Sequence, residues 1–144
     1  MARLALKQNP EFINAKWWLA VALFRQDRFE EANQHFQNVF DQSPNNLDHQ
    51  ALLGMTRYRL NEFEQANALL QKSYRYSTEA SLFLVMAVVR SQQELADAEV
   101  TKQNVEEFFE NLVIQTSESE DEQTVNKKLI EEARILLREF RTSR

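Results

Sequence analysis

The residues best suited to catalysis or metal binding in this chain are two histidines, His35 and His49, and a scatter of glutamates. Zinc sites on a helix use the spacing His-Glu-x-x-His, and di-iron bundles use Glu-x-x-His. Neither pattern occurs, and one glycine cannot build a glycine-rich phosphate loop. We therefore expect both histidines to lie on the surface, no catalytic, metal or cofactor site, and a protein that is not an enzyme.

Two clusters of charge are further candidate binding features. Residues 116–123 are polar and acidic. They lack the glycine and the regular carboxylate spacing of a calcium-binding loop, so we interpret them as a solvated linker. Arg134, Arg138 and Arg141 form a basic row near the end of the chain. Such a row can meet an acidic partner, but it more often lies in solvent and complements the dipole of its helix.

The composition predicts a single all-α domain. The 144 residues include one glycine, two prolines and no cysteine, which disfavours β-rich folds and excludes disulfides and thiolate metal sites. The net charge of −5 is modest and the cations are dispersed, so neither nucleic acid nor an anionic membrane is an expected partner. No apolar run reaches the roughly 18 residues of a membrane span, and no signal peptide is evident. We expect a cytoplasmic protein.

Apolar residues recur at helical spacing in seven segments. The first follows Asn9-Pro10-Glu11, a capping residue, a first-turn proline and an acid. It places Leu19, Ala22 and Leu23 on one face, with Trp18 beside them. The last places five apolar residues on one face: Leu129, Ala133, Leu136, Leu137 and Phe140. The predicted helices cover about 9–26, 28–42, 47–60, 62–76, 77–93, 95–114 and 124–141.

A short phrase occurs twice, 34 residues apart. Asp-Arg-Phe-Glu-Glu-Ala-Asn at 27–33 returns as Asn-Glu-Phe-Glu-Gln-Ala-Asn at 61–67. A fixed period of this length is typical of stacked helical repeats, which form a surface that binds other proteins. The same offset also pairs Leu19 with Leu53, Ala20 with Gly54, Phe24 with Tyr58, Gln37 with Gln71 and Phe40 with Tyr74.

This helix–turn–helix unit resembles the tetratricopeptide repeat. Asp27 and Asn61 stand at a turn position where the family often has glycine, and both residue types tolerate left-handed backbone. The only glycine, Gly54, falls where the family most often has glycine, since a small residue lets neighbouring helices approach closely. The remaining matches are Leu19, Ala20, Leu23, Ala32, Phe36 and Pro44 in a first unit counted from Ile13, and Leu53, Ala66 and Leu70 in a second counted from Leu47.

The resemblance implies one domain, a superhelix of antiparallel helix pairs closed by a C-terminal capping helix. The pattern is broken at Lys16, Gln50, Arg57 and Thr78. A third repeat fits poorly, and we interpret it as degenerate, with a lengthened second helix. The expected divisions are 1–10 for the end of a preceding half repeat, 11–44 and 45–78 for the clear repeats, 79–115 for the degenerate repeat, 116–123 for the linker and 124–144 for the last helix.

In this family the first helices of the pairs line a concave groove. This groove is apolar and aromatic here and lacks Lys and Arg, so the resemblance does not extend to repeats that clamp a C-terminal carboxylate. An aromatic stripe at helical spacing is more often part of a packed core than a binding site. The residues at the ligand-facing motif positions are Asn14, Trp17, Val21, Phe24, Asp48, Ala51, Met55 and Tyr58.

The resemblance implies a non-catalytic scaffold that binds an apolar peptide or helix of a protein partner in that groove. Two alternatives stay open: a homo-oligomerisation module, and an accessory domain of a larger protein or enzyme. The apolar face of the last helix also leaves three outcomes open. It caps the last repeat, fills the groove, or contacts another copy or partner.

Overall fold

A computed structural model describes residues 10–117 and 123–143, and every regular element in those ranges is helical. Successive helices pair as hairpins, and the last helix returns over the third hairpin. The all-α fold of stacked helix pairs is therefore confirmed. The elements are α1 Pro10–Arg25, α2 Phe29–Gln42, α3 Leu47–Arg59, α4 Phe63–Ser73, a 3₁₀ turn Tyr74–Tyr76, α5 Thr78–Arg90, α6 Val105–Ser117 and α7 Gln123–Thr142.

The turns inside the first two hairpins have the same geometry. Asp27 has φ 62° and Asn61 has φ 65°, so both adopt the predicted left-handed conformation. The amide of the next residue then closes the end of the helix: the Arg28 N–H donates to the Leu23 carbonyl and the Glu62 N–H to the Arg57 carbonyl, each at 2.9 Å. These bonds satisfy carbonyls that a helix end would otherwise leave unpaired.

Small residues set the distance between paired helices. A Cβ on Gly54 would lie 2.8 Å from Leu70 Cγ and 3.2 Å from Leu69 Cβ, so α3 and α4 are in close contact at this point. Ala20, at the corresponding position of α1, is fully buried, as are Ala32 and Ala66 on the second helices. The family-based reason for small residues at these positions agrees with the packing.

Helix α5 is the centre of the core. Every residue from Ala80 to Val88 is buried. The helix contacts α3, α4, α6 and α7, so no side of it is left for solvent along that stretch.

The apolar face predicted on α1 is only partly the buried face of that helix. Leu19 is 47% exposed and Ala22 is exposed, while Leu23, the third member, is buried together with Ala20 and Phe24. The helical period was correct, but it does not identify which side of an edge helix a neighbour will cover. Among the described residues, nothing packs closely on the Leu19 side.

The second helix of the third hairpin is shorter than predicted. Residues 91–104 form an irregular connection, and α6 begins only at Val105. The Gln71 side chain holds this connection, because its amide donates to the Val100 carbonyl at 2.7 Å and its oxygen accepts the Glu99 and Val100 N–H groups at 3.0 and 3.2 Å. The prediction of a helix over 95–104 is therefore wrong. Most of the predicted half repeat and of the acidic linker lies outside the described residues.

Candidate functional site

Four of the eight residues predicted to line the groove are buried in the core of the structure. Phe24 and Tyr58 are 5% and 4% exposed, and Ala51 and Met55 are fully buried. The ring of Phe83 on α5 covers this region, with centroids 6.2 Å from Phe24 and 5.6 Å from Tyr58. Burial raises the pKa of the Tyr58 phenol to about 12. These four residues are part of the packing between helices and are not exposed to a ligand.

The other four residues predicted to line the groove are at least partly exposed to solvent. Asn14 and Asp48 are exposed, while Trp17 and Val21 are partly buried. The structure therefore separates the eight predicted residues into a buried set and a surface set, and Trp17 and Val21 are the apolar members of the surface set.

Helix α7 covers the third hairpin and also reaches the second. Its apolar residues Leu129, Ala133 and Leu137 are buried, and the helix packs along α5. Arg59 at the end of α3 donates two hydrogen bonds to the Glu132 carboxylate, at 2.6 and 3.0 Å. The helix thus packs its apolar face against the third hairpin. It also closes part of the face that α1, α3 and α5 share.

The basic row of α7 faces α6 in part. The Arg134 guanidinium lies 5.7 Å from the Phe109 ring centroid, and Arg141 Nε is 3.5 Å from a Glu106 carboxylate oxygen. Arg138 is exposed. Two of the three cations therefore contribute to packing within the domain.

An open cleft of about 690 Å³ lies between α1 and α7. We call it the α1–α7 cleft. Its aromatic wall is on α1, its floor includes α3, and its far side is formed by the turn before α5 and by the first turns of α7. The lining residues are Trp17, Trp18, Val21, Arg25, Leu52, Tyr76, Ser77, Glu79, Val125 and Asn126.

The charged residues of the α1–α7 cleft neutralise each other. Arg25 donates two hydrogen bonds to the Glu79 carboxylate, at 2.6 and 2.9 Å. Burial, together with Asp48 and Glu79, raises the pKa of the Tyr76 phenol, so this side chain is uncharged at neutral pH. The cleft therefore presents apolar surface with little net charge.

Trp17 is held from two sides. Its ring lies 5.4 Å from Phe36 and 5.0 Å from His49, measured between centroids. Burial lowers the pKa of His49, and its Nδ1 has no hydrogen-bond partner among the residues that the structure describes. Both histidines are partly buried, which differs from the predicted surface positions. Within the described ranges, no group of three or more His, Asp and Glu side chains is arranged to hold a metal ion.

Helix pairs repeated at 34 residues, with an accessible apolar cleft, define a helical-repeat protein of the kind that binds other proteins. The tetratricopeptide repeat family model matches residues 23–73, from the end of α1 to the end of α4. This part of the chain, about a third of its length, is therefore similar to the tetratricopeptide repeat, and the resemblance seen in the sequence is confirmed there. No curated protein matches the chain.

Sequence reasoning missed four apolar residues of the cleft: Trp18, Leu52, Tyr76 and Val125. One signal was present, because Trp18 and Leu52 are separated by the repeat length and both are large and apolar. Val125 reaches the cleft only because α7 folds back over α5, and no local pattern in the sequence records that contact.

Proposed function

We propose that this chain is a non-catalytic interaction module that holds a short apolar segment of a partner protein in the α1–α7 cleft. The observation that carries the proposal is Trp18, which is 67% exposed beside Trp17 at the wall of the cleft. Large aromatic side chains left in contact with water in a concave site are typical anchors of protein interfaces.

The size and rigidity of the cleft support a peptide ligand. A volume of about 690 Å³ is within the range of roughly 300–1,000 Å³ that is usual for binding pockets. Trp17 is fixed by Phe36 and His49, so this part of the wall is formed before a ligand arrives. A preformed wall reduces the entropy that binding must overcome.

The balance of charge supports an apolar and uncharged segment. Among the described residues that line the cleft, Arg25 and Glu79 are the only charged ones, and they bind each other. A strongly basic or acidic segment would have to break this pair to gain a partner of its own. An apolar segment can instead cover Val21, Leu52 and Val125 without disturbing it.

A displayed peptide library selected on the full-length chain tests the proposal, followed by titration calorimetry with a selected peptide. We expect selected peptides to be rich in large apolar residues. Val125→Lys, at the rim of the cleft, should weaken binding at least about tenfold. Ile135→Lys is the matched control, because Ile135 is on the same helix, is similarly exposed and does not line the cleft. Unchanged affinity in both Val125→Lys and Tyr76→Ala would refute the proposal.

A further inference from the structure

The ring of Trp17 connects the α1–α7 cleft to an aromatic cluster inside the domain. It lines the cleft, and it also lies 5.4 Å from Phe36 of α2 and 5.0 Å from His49 of α3, measured between ring centroids. His49 is the titratable member of this cluster and does not itself line the cleft. A change in its protonation therefore reaches the proposed binding site through Trp17, without contact between His49 and the ligand.

The surroundings of His49 favour the neutral imidazole. Its Nδ1 is buried and has no partner among the described residues, so a proton on this atom would lack an acceptor. Leaving a charged N–H without an acceptor costs more than leaving a neutral nitrogen without a donor. His49 is also the third residue of α3, and the N-terminal end of a helix disfavours positive charge.

Asp48 is the charged side chain that acts on the imidazole. Burial is the largest influence on the pKa of His49, and it outweighs the opposite effects of the Ser43 carbonyl and of Asp48. Asp48 is exposed, so water screens its charge. Tyr76, in the turn before α5, also lies near Asp48 and is uncharged at neutral pH because its pKa is raised. These groups do not compensate for the burial of a charged ring.

The two neighbouring helices bring no charge to the cluster within the described ranges. Trp17 of α1 and Phe36 of α2 are uncharged. Lys16, the cation beside Trp17 in the sequence, lies over the Phe12 ring, 5.7 Å from its centroid. The protonation state of His49 is therefore set by its burial and by the pH of the solution.

We propose that His49 makes ligand binding in the α1–α7 cleft dependent on pH. In its neutral form, the imidazole supports Trp17 in the wall of the cleft. In its protonated form, the ring must turn toward solvent to find an acceptor for its second N–H, and Trp17 loses this support. This regulation rests on the function proposed above, because it acts on the affinity of a ligand that covers Trp17.

The direction of the pH dependence follows from linkage. A ligand that needs Trp17 in place binds the form with neutral His49 better. Its affinity is therefore highest above the ordinary histidine pKa of 6.5, and it falls as the pH drops through the lowered pKa of His49 in the free chain. Reciprocally, bound ligand must lower the pKa of His49 further. The fall in affinity ends once the pH is below the pKa in the complex.

Titration calorimetry with a selected peptide that lacks His, Asp and Glu measures this dependence. From about pH 7.5 to about pH 5.5, we expect the affinity to fall about two- to fivefold. Circular dichroism at both pH values verifies that the full-length chain stays folded. The chain has two histidines, so NMR titration of the imidazole resonances gives the pKa of each. Saturating peptide should lower the pKa of His49 and leave that of His35 unchanged.

Two matched variants separate His49 from other effects of acid. His49→Gln should bind the peptide with the same affinity at both pH values, whereas His35→Gln should keep the pH dependence of the unsubstituted chain. Three results would overturn the regulation: an affinity that stays constant or rises on acidification, a pH dependence that survives His49→Gln, or a pKa of His49 that the peptide does not lower.

Failure of this regulation and failure of the proposed function are distinguishable. A chain that binds no selected peptide at about pH 7.5, where the imidazole is neutral, would refute the proposed function and the regulation together. A chain whose binding is weakened by Val125→Lys but does not respond to pH would refute the regulation alone.

Discussion

The indole of Trp17 and the imidazole of His49 lie with their ring centroids 5.0 Å apart, and this contact joins α1 to α3. Position 49 therefore couples the first hairpin to the second. Because burial lowers the pKa of His49 below its ordinary 6.5, the folded chain favours the neutral ring.

Stability should fall as the pH drops below about 6.5. In this range the unfolded chain binds a proton at position 49 more readily than the folded chain does, so lowering the pH favours unfolding. The loss of stability levels off once the pH is below the pKa of His49 in the folded chain. Urea unfolding between about pH 7.5 and pH 5.5 measures the effect. His49→Gln should flatten this part of the pH dependence, whereas His35→Gln should retain it. An unaltered slope in His49→Gln would contradict the prediction.

Gly54→Ala should destabilise the fold by about 1–3 kcal/mol, although alanine favours helix by about 1 kcal/mol. The added Cβ would lie 2.8 Å from Leu70 Cγ, and Leu70 is fully buried and cannot easily move away. Thermal and urea unfolding give the difference. Leu70→Ala in the Gly54→Ala background should recover part of the overpacking cost, so a double-mutant cycle with purely additive effects would argue against this clash.

Asn61→Ala should cost about 1–2 kcal/mol because alanine at φ 65° is strained. Asn61→Gly should be tolerated, since glycine adopts this backbone freely. Asn45→Ala is the control: Asn45 is exposed and its φ is not positive, so the change should stay within about 0.5 kcal/mol. Equal losses in Asn61→Ala and Asn61→Gly would show that the asparagine side chain matters more than the backbone.

One leucine and one isoleucine on α7 test the packing of this helix on α5. Leu137 is 2% exposed and Ile135 is 50% exposed, although they are two residues apart. Leu137→Ala should cost about 2–4 kcal/mol of unfolding free energy. Ile135→Ala should cost no more than about 0.5 kcal/mol. Similar losses in the two variants would mean that α7 does not rest on α5 as described.

The first four helices were predictable because their signals are local. A 34-residue repeat, a proline-containing break at Ser43-Pro44 and residues that tolerate left-handed backbone define each hairpin without reference to distant parts of the chain. The residue types of Asp27 and Asn61 also indicate that φ is positive at these two positions.

Helices α5 and α7 were also located from local patterns, at about 77–93 and 124–141. The features that were not predicted depend on contacts between distant residues. Leu95 and Ala98 have helical spacing, but Gln71 and Glu64 bind backbone amides of the 91–104 connection and hold it in an irregular conformation. The groove was predicted from a repeat pattern that describes one face of each helix, and its filling by the last helix was left open. That pattern contains no information that Phe83 would cover Phe24 and Tyr58, or that α7 would fold over the same face.

The central position of α5 determines how the domain unfolds. Phe83 and Glu79 contact α1 directly, and the helix also touches α3, α4, α6 and α7. In an extended solenoid each unit meets only its neighbours, so terminal units can fray alone. Here loss of α5 would remove contacts at both ends of the chain at once. The backbone amides of Leu82–Val88 should consequently exchange with solvent hydrogen last, through a single cooperative opening of the whole domain.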